Sequence, residues 1–379
     1  MIEKGYKYRL YPNKEQQQIL EQHFGATRWI FNYGLERKIQ VYQKDKSQIS
    51  CFQIANELPK LKKQKETEWL KEINAQSLQM SLRQLDNAYT AFFRKQNKFP
   101  NFKSKKSKQT FSIPQGNKID WENKKAQFIK LGAIKIKIDR QFYGRIIRAT
   151  ISKNNINQYF VSYCVESEEI VKKPKKVKEK TTIGIDLGIK IFAALSDGRK
   201  IENPKYLKKS EQRLKILQRR LSKKQKGSKN RKKAVYKVAK LHNKIKNQRL
   251  NFLHNITAQL VRDNQTDTYA IEDLNIAGMV RNHHLAQAIS DASWSEFIRQ
   301  LSYKSRWFGK NLLIIGRFEP SSKMCSCGYI NGNLTLADRD WTCPKCNQLN
   351  DRDLLAARNI KHFALSGRLS PVVPVELSH

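Results

Sequence analysis

The sequence has few acidic residues and no long hydrophobic run. Of its 379 residues, 33 are Asp or Glu and 74 are Lys or Arg, which gives a formal net charge of +41. No segment approaches the ~18 consecutive apolar residues that a membrane span requires. The first residues, MIEKGYKYRLYP, lack the apolar core of a signal peptide. We therefore expect neither a membrane-spanning nor a secreted protein.

The excess of positive charge predicts a polyanionic partner. Charge of this size repels itself unless counterions or nucleic acid screen it. The basic residues run along the whole chain instead of clustering at one amphipathic end, which favours nucleic acid over a membrane surface. With 39% hydrophobic residues the chain can build a large core, and its length fits two or three domains.

Four of the six cysteines lie within 22 positions, as C-S-C followed by C-P-K-C. Four thiolates are the ligand set of a tetrahedral structural Zn²⁺, and they leave no open position for catalysis. Such a cluster is typical of a reducing compartment. The first pair is one residue shorter than the usual C-x-x-C, and Gly328 just after it supplies backbone freedom. The predicted zinc ligands are Cys325, Cys327, Cys343 and Cys346.

The pattern of apolar residues predicts a multidomain α+β and α/β protein. Gly5–Leu10 alternates as a strand does, and Asn13 with Gln16 matches a capping box that begins a helical region reaching about residue 95. Short alternating segments then predict a small β domain, and apolar strands with basic helices follow from Thr181. The predicted domains are a β-barrel (1–13 and 104–172), a helical domain inserted in it (14–103), an α/β domain (181–320 and 349–363), a zinc ribbon (321–348) and a flexible tail (364–379).

A basic region between Pro204 and Arg249 holds 19 Lys or Arg and one acid, Glu211. Its apolar stripe predicts two helices broken near Gly227-Ser228, and their charges would repel one another without bound phosphates. Trp29, Tyr33, Tyr89 and Phe93 could stack on bases, but their helical spacing favours core packing. The predicted nucleic-acid-binding residues are Lys103, Lys105, Lys106, Arg219, Arg220, Lys223, Lys224, Arg231, Lys232 and Lys233.

Three acids stand in or beside apolar segments: Asp186 in IGIDLG, Glu272 in YAIEDLNI and Asp353 in NDRDLLAARNI. Each alone could be a turn, strand-end or capping residue. Burying a carboxylate is costly unless it is paired or metal-bound. Together, in so basic a chain, they predict a site for Mg²⁺ or Mn²⁺, and two such ions can promote phosphodiester hydrolysis.

These motifs resemble the RuvC nuclease domain of the transposon-encoded TnpB proteins, relatives of type V CRISPR effectors. The resemblance extends to KYRLYPNKEQ, RWIFNYGL, LDNAYTAFFRK and FPNFKSKK, and so covers nearly the whole chain. It implies an RNase H-like RuvC domain whose catalytic acids, in motif order, are Asp186, Glu272 and Asp353. It also implies an RNA-guided DNA endonuclease, with a guide RNA from the adjoining transposon end and a double-stranded DNA target beside a short flanking motif. Such a protein would act on nucleoid DNA in the cytoplasm of a bacterium or archaeon.

The sequence departs from the family in the third motif. Members usually continue as D-x-N-A-A, whereas Leu355 replaces the Asn here. Three other functions remain open: a nuclease-inactive, RNA-guided repressor, a strand-transfer transposase, and a structural RNA-binding protein. A D-D-E transposase would place Glu last, whereas the order here is Asp, Glu, Asp. A structural RNA-binding protein would leave the three acids unexplained.

Overall fold

Two units make up the part of the chain that the computed structural model describes, which is residues 2–169, 172–335 and 338–369. The first unit is Met1–Ile170 and the second is Val171–His379. Among the helices of these described residues, none is both long enough and apolar enough to cross a bilayer.

A seven-stranded antiparallel sheet forms the body of the first unit, in the order β2-β6-β7-β1-β5-β4-β3. The N-terminal strand β1 lies between β7 and β5, so it joins the β domain as expected. The sheet curls around one hydrophobic core, which gives the small β-barrel domain. The strands are β1 Ile2–Tyr11, β2 Gln109–Ile113, β3 Lys118–Asp120, β4 Lys125–Phe128, β5 Gly132–Lys137, β6 Arg145–Lys153 and β7 Tyr159–Ser167.

Alternation along β7 explains why it faces this core. Every second side chain from Tyr159 to Val165 is buried, and Tyr163 lies against Tyr8 of β1. A strand is also predicted from Phe128 to Leu131, but β4 ends at Phe128. The amide of Leu131 donates to the Phe128 carbonyl, and the positive φ of Gly132 completes this turn.

Helices are inserted between β1 and β2. The capping box at Asn13 and Gln16 is confirmed, because each side chain accepts from the other residue's backbone amide. The two long helices pack closely at Gly34, where an added Cβ would lie 2.7 Å from Leu82. The helices are α1 Lys14–Asp45, α2 Cys51–Ala55, α3 Leu58–Leu61 and α4 Ala75–Phe93, with a 3₁₀ helix at Lys65–Glu72.

The second unit contains a five-stranded sheet in the order β10-β9-β8-β11-β12. Strands β8, β11 and β12 are parallel, whereas β9 and β10 are antiparallel to their neighbours. This is the RNase H-like domain. Its strands are β8 Thr182–Leu187, β9 Ile191–Leu195, β10 Lys200–Glu202, β11 Thr268–Glu272 and β12 Asn311–Ile315.

Helices cover both faces of this sheet, and a short two-stranded ribbon precedes the last of them. The predicted break at Gly227-Ser228 is confirmed, because Ser228 is the N-cap of α6. The elements are α5 Tyr206–Ser222, α6 Lys229–Arg262, α7 Ile276–Met279, α8 His283–Ala292, α9 Trp294–Phe308, β13 Asp340–Thr342, β14 Leu349–Asp351 and α10 Arg352–Leu365.

The flexible tail predicted from residue 364 is ordered at its start. Helix α10 continues to Leu365, and Leu369 then forms an antiparallel bridge with Ile315 of β12. Arg368 also pairs with Glu319 at 3.1 Å. The remainder of that tail, residues 370–379, lies outside the described residues.

Candidate active site and zinc centre

The register of two parallel strands places the first two acids side by side. Gly184 of β8 pairs with Ala270 of β11, and Ile185 pairs with Ile271, so Asp186 and Glu272 follow at the same edge of the sheet. Side chains alternate between the faces of a strand. The two isoleucines pack against the core beneath α6 and α9, so both acids belong to the opposite face.

Helix α10 brings the third acid to that face. A Cβ on Gly184 would lie 2.0 Å from the carbonyl oxygen of Ala357, so the helix backbone rests directly on β8. Asp353 is one helical turn before Ala357, and Asp186 is two strand residues after Gly184. Both spacings keep a residue on the same face of its element. The contact at Gly184 therefore sets Asp353 beside Asp186.

Burial disfavours the charged forms of Asp186 and Glu272, and neighbouring acids add to this effect at Asp186. Burial first, and then the negative charges of Asp353 and Glu272, raise the pKa of Asp186 to about 7, against the smaller effect of Arg352 and Arg339. Burial also raises the pKa of Glu272 to about 7. A bound divalent cation would offset both effects.

The three carboxylates differ in their hydrogen-bonding partners. Arg339 contacts Asp353 at 3.1 Å, and the Ser321 hydroxyl donates to Glu272 at 3.3 Å. Within the described ranges, no hydrogen-bond donor reaches the Asp186 carboxylate. An aspartate carboxylate without a donor, beside two further acids, offers the hard oxygen ligands that Mg²⁺ or Mn²⁺ prefers.

The four cysteines form a second centre, and it has the dimensions of a zinc site. All four sulfur atoms lie within 4.8 Å of one another, and the Cys325–Cys346 and Cys327–Cys343 distances are both 3.6 Å. A tetrahedron with Zn–S bonds of about 2.3 Å has edges of about 3.8 Å. Burial opposes ionisation of Cys325, but hydrogen bonds from the Cys327 backbone, the neighbouring thiols and Asn350 outweigh it and lower its pKa to about 6.

A glycine makes the tight turn that follows the shortened C-x-C pair. Gly328 has a φ of +82°, and its amide donates to the Cys325 carbonyl at 2.9 Å. The Cys325 amide in turn donates to the Tyr329 carbonyl at 2.8 Å. Glycine adopts this left-handed conformation without steric cost.

The cysteine ribbon is attached to α10 at several points. Leu355, which stands at the departure from the family motif, is buried with Cys325, Trp341 and Cys343. The Asn359 amide donates to the carbonyls of Ser321 at 2.7 Å and Met324 at 2.6 Å. The ribbon thus contacts the helix that carries Asp353, and Leu355 contributes apolar packing to that contact.

Arg231, one of the predicted nucleic-acid-binding residues, makes hydrogen bonds within the chain. Its guanidinium donates to the carbonyls of Leu221 and Lys224 at 3.1 and 2.9 Å, at the C-terminal end of α5. Lys103 is only half-exposed. The other predicted nucleic-acid-binding residues are exposed, and they are Lys105, Lys106, Arg219, Arg220, Lys223, Lys224, Lys232 and Lys233.

The aromatic residues divide between core and surface. Trp29 and Tyr33 stack on each other at 5.4 Å beside the core of the helical insertion, and Tyr89 packs beneath α1, as their spacing predicts. Phe93 does not follow this prediction, because it lies at the end of α4 with 62% of its surface exposed.

Four residues that contact the site were not singled out in the sequence. Arg352 and Asn359 lie inside the segment DRDLLAARNI, so their closeness to Asp353 in the sequence could have identified them as neighbours of the site. Arg339 and Ser321 lie in irregular segments, and only the fold brings them to the acids.

Comparisons with known proteins cover nearly the whole chain. A family model described as a probable transposase matches residues 162–283, a helix-turn-helix model matches 1–47, and a Cas12f1-like TNB domain model matches 294–360. A Streptomyces pristinaespiralis protein named as an RNA-guided DNA endonuclease is 38% identical over 95% of this chain and 89% of its own length. InsQ of Escherichia coli K12, named likewise, is 32% identical over 94% and 91%.

A solved structure shows the same fold at low identity. A Cas12f1–sgRNA–target DNA complex contains a chain 15% identical to this one, with a TM-score of 0.58 over 95% of this chain and 98% of that one.

A first prediction concerns the contact between α10 and β8. Gly184→Ala should displace the helix, because the new methyl group would overlap the Ala357 carbonyl. We expect a destabilisation of about 1–3 kcal/mol and loss of metal-dependent activity. Chemical denaturation measures the first effect. Gly5→Ala is the control, since a Cβ there meets nothing within 4 Å, and equal effects of both changes would contradict the role of the contact.

A second prediction concerns the charge of Asp186. Because its pKa is raised from 3.8 to about 7, the folded metal-free protein binds more protons than the unfolded chain between these values, and stability falls as the pH rises through them. Asp186→Asn removes the charge. It should raise the melting temperature in magnesium-free buffer by a few degrees at pH 8 and much less at pH 5. Glu202→Gln, on the exposed edge strand β10, should show no such pH-dependent difference.

A third prediction concerns the cysteine centre. Cys346→Ser should reduce bound zinc from about one ion per chain to none and loosen the ribbon against α10. Elemental analysis measures the first effect and limited proteolysis the second. Cys164→Ser, in β7, is the matched control. Retention of zinc by the Cys346 variant would refute the proposed ligand set.

Proposed function

The chain belongs to the TnpB family of transposon-encoded proteins, and from this we propose that it is an RNA-guided DNA endonuclease. The observation that carries the proposal is the convergence of Asp186, Glu272 and Asp353 from β8, β11 and α10 on one face of the RNase H-like sheet. Its relatives of 38% and 32% identity are named for this activity.

The three carboxylates would hold Mg²⁺ or Mn²⁺. When bound, such ions activate water and stabilise the leaving oxygen in phosphodiester cleavage. The chain's own residues prepare the site. The Gly184 contact fixes Asp353, the Ser321 hydroxyl orients Glu272, and Arg339 pairs with Asp353. The Cys325, Cys327, Cys343 and Cys346 centre would hold a structural Zn²⁺ that stabilises the ribbon around these contacts.

The partners would be a guide RNA from the adjoining transposon end and a double-stranded DNA target with a short flanking motif. A net charge of +41 and the exposed lysines and arginines of α5 and α6 support binding to many phosphates. Contacts of this kind recognise the shape of a guide–target duplex and leave its sequence to base pairing.

Two alternatives differ from this function in their chemistry. A nuclease-inactive repressor of the same architecture would not need three acids whose mutual charge is costly. A transposase agrees with the description of one matching family model, but the acid order Asp, Glu, Asp favours the RuvC centre.

Expression with the native flanking DNA tests the function directly. We expect one defined transcript from the adjoining locus to copurify with the protein, and Mg²⁺-dependent cleavage of DNA that matches its variable end. Asp186→Ala should abolish cleavage while RNA and DNA binding persist, because only the metal-binding acid is lost. Glu202→Ala controls for charge.

Three other outcomes would point away from this function or this site. Heterogeneous RNA that salt removes would favour a transposase or a general binding protein. A defined RNA without cleavage would favour the repressor. Cleavage by the Asp186 variant would refute the site.

A further inference from the structure

The turn that follows β12 lies at the edge of the sheet where the three acids lie. Strand β12 runs parallel to β11, and their last residues, Ile315 and Glu272, are paired. The chain therefore leaves the sheet beside Glu272. Six residues later, the Ser321 hydroxyl donates to the Glu272 carboxylate at 3.3 Å. The segment between Ile315 and Ser321 thus runs along the rim of the proposed metal site.

Neighbouring elements hold this turn on both sides. The Arg317 guanidinium lies 2.7 Å from the carboxylate of Asp273, which directly follows β11. Two residues later, Glu319 lies 3.1 Å from Arg368, which follows α10. The Gly316 amide also donates to the Arg368 carbonyl at 3.2 Å. The position between the two ion pairs is therefore fixed by its backbone.

The side chain at that position is a phenylalanine ring that the chain leaves in solvent. Phe318 is 93% exposed, more than any other large hydrophobic side chain in the described part of the molecule. Single exposed apolar residues are common on protein surfaces, but leaving a ring in water costs hydrophobic free energy. This ring stands on an anchored turn beside three acids. The arrangement suits a ring whose partner comes from outside the chain.

We propose that Phe318 stacks on a base of the DNA strand whose phosphodiester lies at the three acids. Stacking on an aromatic ring accepts any base, because every base has a π-face. Such a contact positions a strand without reading its sequence. At most about 11 Å of chain separates Phe318 from Ser321, which is roughly three nucleotides of one strand. The stacked base thus lies close to the phosphate that is cut. This inference rests on the proposed function, which supplies the strand.

Cleavage by Phe318 variants tests the contact. The substrate is single-stranded DNA complementary to the copurified RNA, so that opening of a duplex does not limit the rate. Phe318→Ala should lower kcat/KM by about five-fold or more, and Phe318→Trp should retain the wild-type value. Phe318→Leu keeps an apolar side chain but no π-face, so it should resemble Phe318→Ala. All three should keep the wild-type melting temperature, because the ring is exposed.

A phenylalanine at the other edge of the same sheet supplies the matched control. Phe308 ends α9 and precedes the start of β12, whereas Phe318 follows the end of that strand. Its side chain is 41% exposed. Phe308→Ala should leave kcat/KM unchanged.

Removing the base instead of the ring separates stacking from a structural role. An abasic nucleotide is placed at each position around the cut in turn. At the stacked position it should slow the wild-type protein as much as Phe318→Ala does, and it should slow the Phe318→Ala variant no further. Irradiation of 5-iodouracil at that position, in an Asp186→Asn complex that leaves the strand intact, should crosslink the DNA to Phe318 and not to Phe308.

Wild-type kcat/KM in Phe318→Ala, fully additive losses at every abasic position, or no crosslink at Phe318 would each overturn the stacking contact. These results are distinct from failure of the proposed function, because they are scored in a protein that cuts its matched DNA. A wild-type protein that leaves this DNA uncut would remove the strand from the site, and the stacking proposal with it.

Discussion

The second unit depends on a close approach of one helix to one strand. At Gly184 the Ala357 carbonyl occupies the place of a side chain, so α10 lies directly on β8. Asp353 lies one helical turn from Ala357, and Asp186 lies two residues from Gly184 on the same face of β8. The helix and strand periodicities therefore place both acids at the site. A bulkier residue at position 184 would separate the acids without changing any of them.

Bringing the three acids together costs electrostatic free energy, and contacts from neighbouring residues offset part of it. Burial raises the pKa values of Asp186 and Glu272, and the charges of Asp353 and Glu272 raise that of Asp186 further. Arg339 and Ser321 each satisfy one acid, whereas Asp186 lacks a donor among the described residues. Placing these carboxylates together does not stabilise the fold, since like charges at close range repel one another. The cysteine ribbon opposes this tendency by packing Leu355 and anchoring Asn359.

Much of this could be read from the sequence, and the exceptions have physical causes. Caps and alternation depend on neighbouring residues, so the Asn13 cap, the break before α6 and the alternating strand β7 were predictable. The three acids and four cysteines stood out because their residue types are unusual in their contexts. Arg339 and Ser321 did not, since tertiary contacts alone bring them to the acids. Phe93 has helical spacing, but its helix ends before any element covers it.

The bond from Arg231 to the end of α5 has a thermodynamic consequence. It ties the start of α6 to the preceding helix, and a small apolar core of Leu214, Leu241 and Ile245 holds the two helices together. Their basic surface is therefore preorganised before any polyanion arrives. A disordered basic arm would lose conformational entropy on binding, whereas this hairpin has met that cost during folding. On binding the proposed nucleic acid, the exposed lysines and arginines of α5 and α6 would therefore lose less conformational entropy than those of a disordered arm.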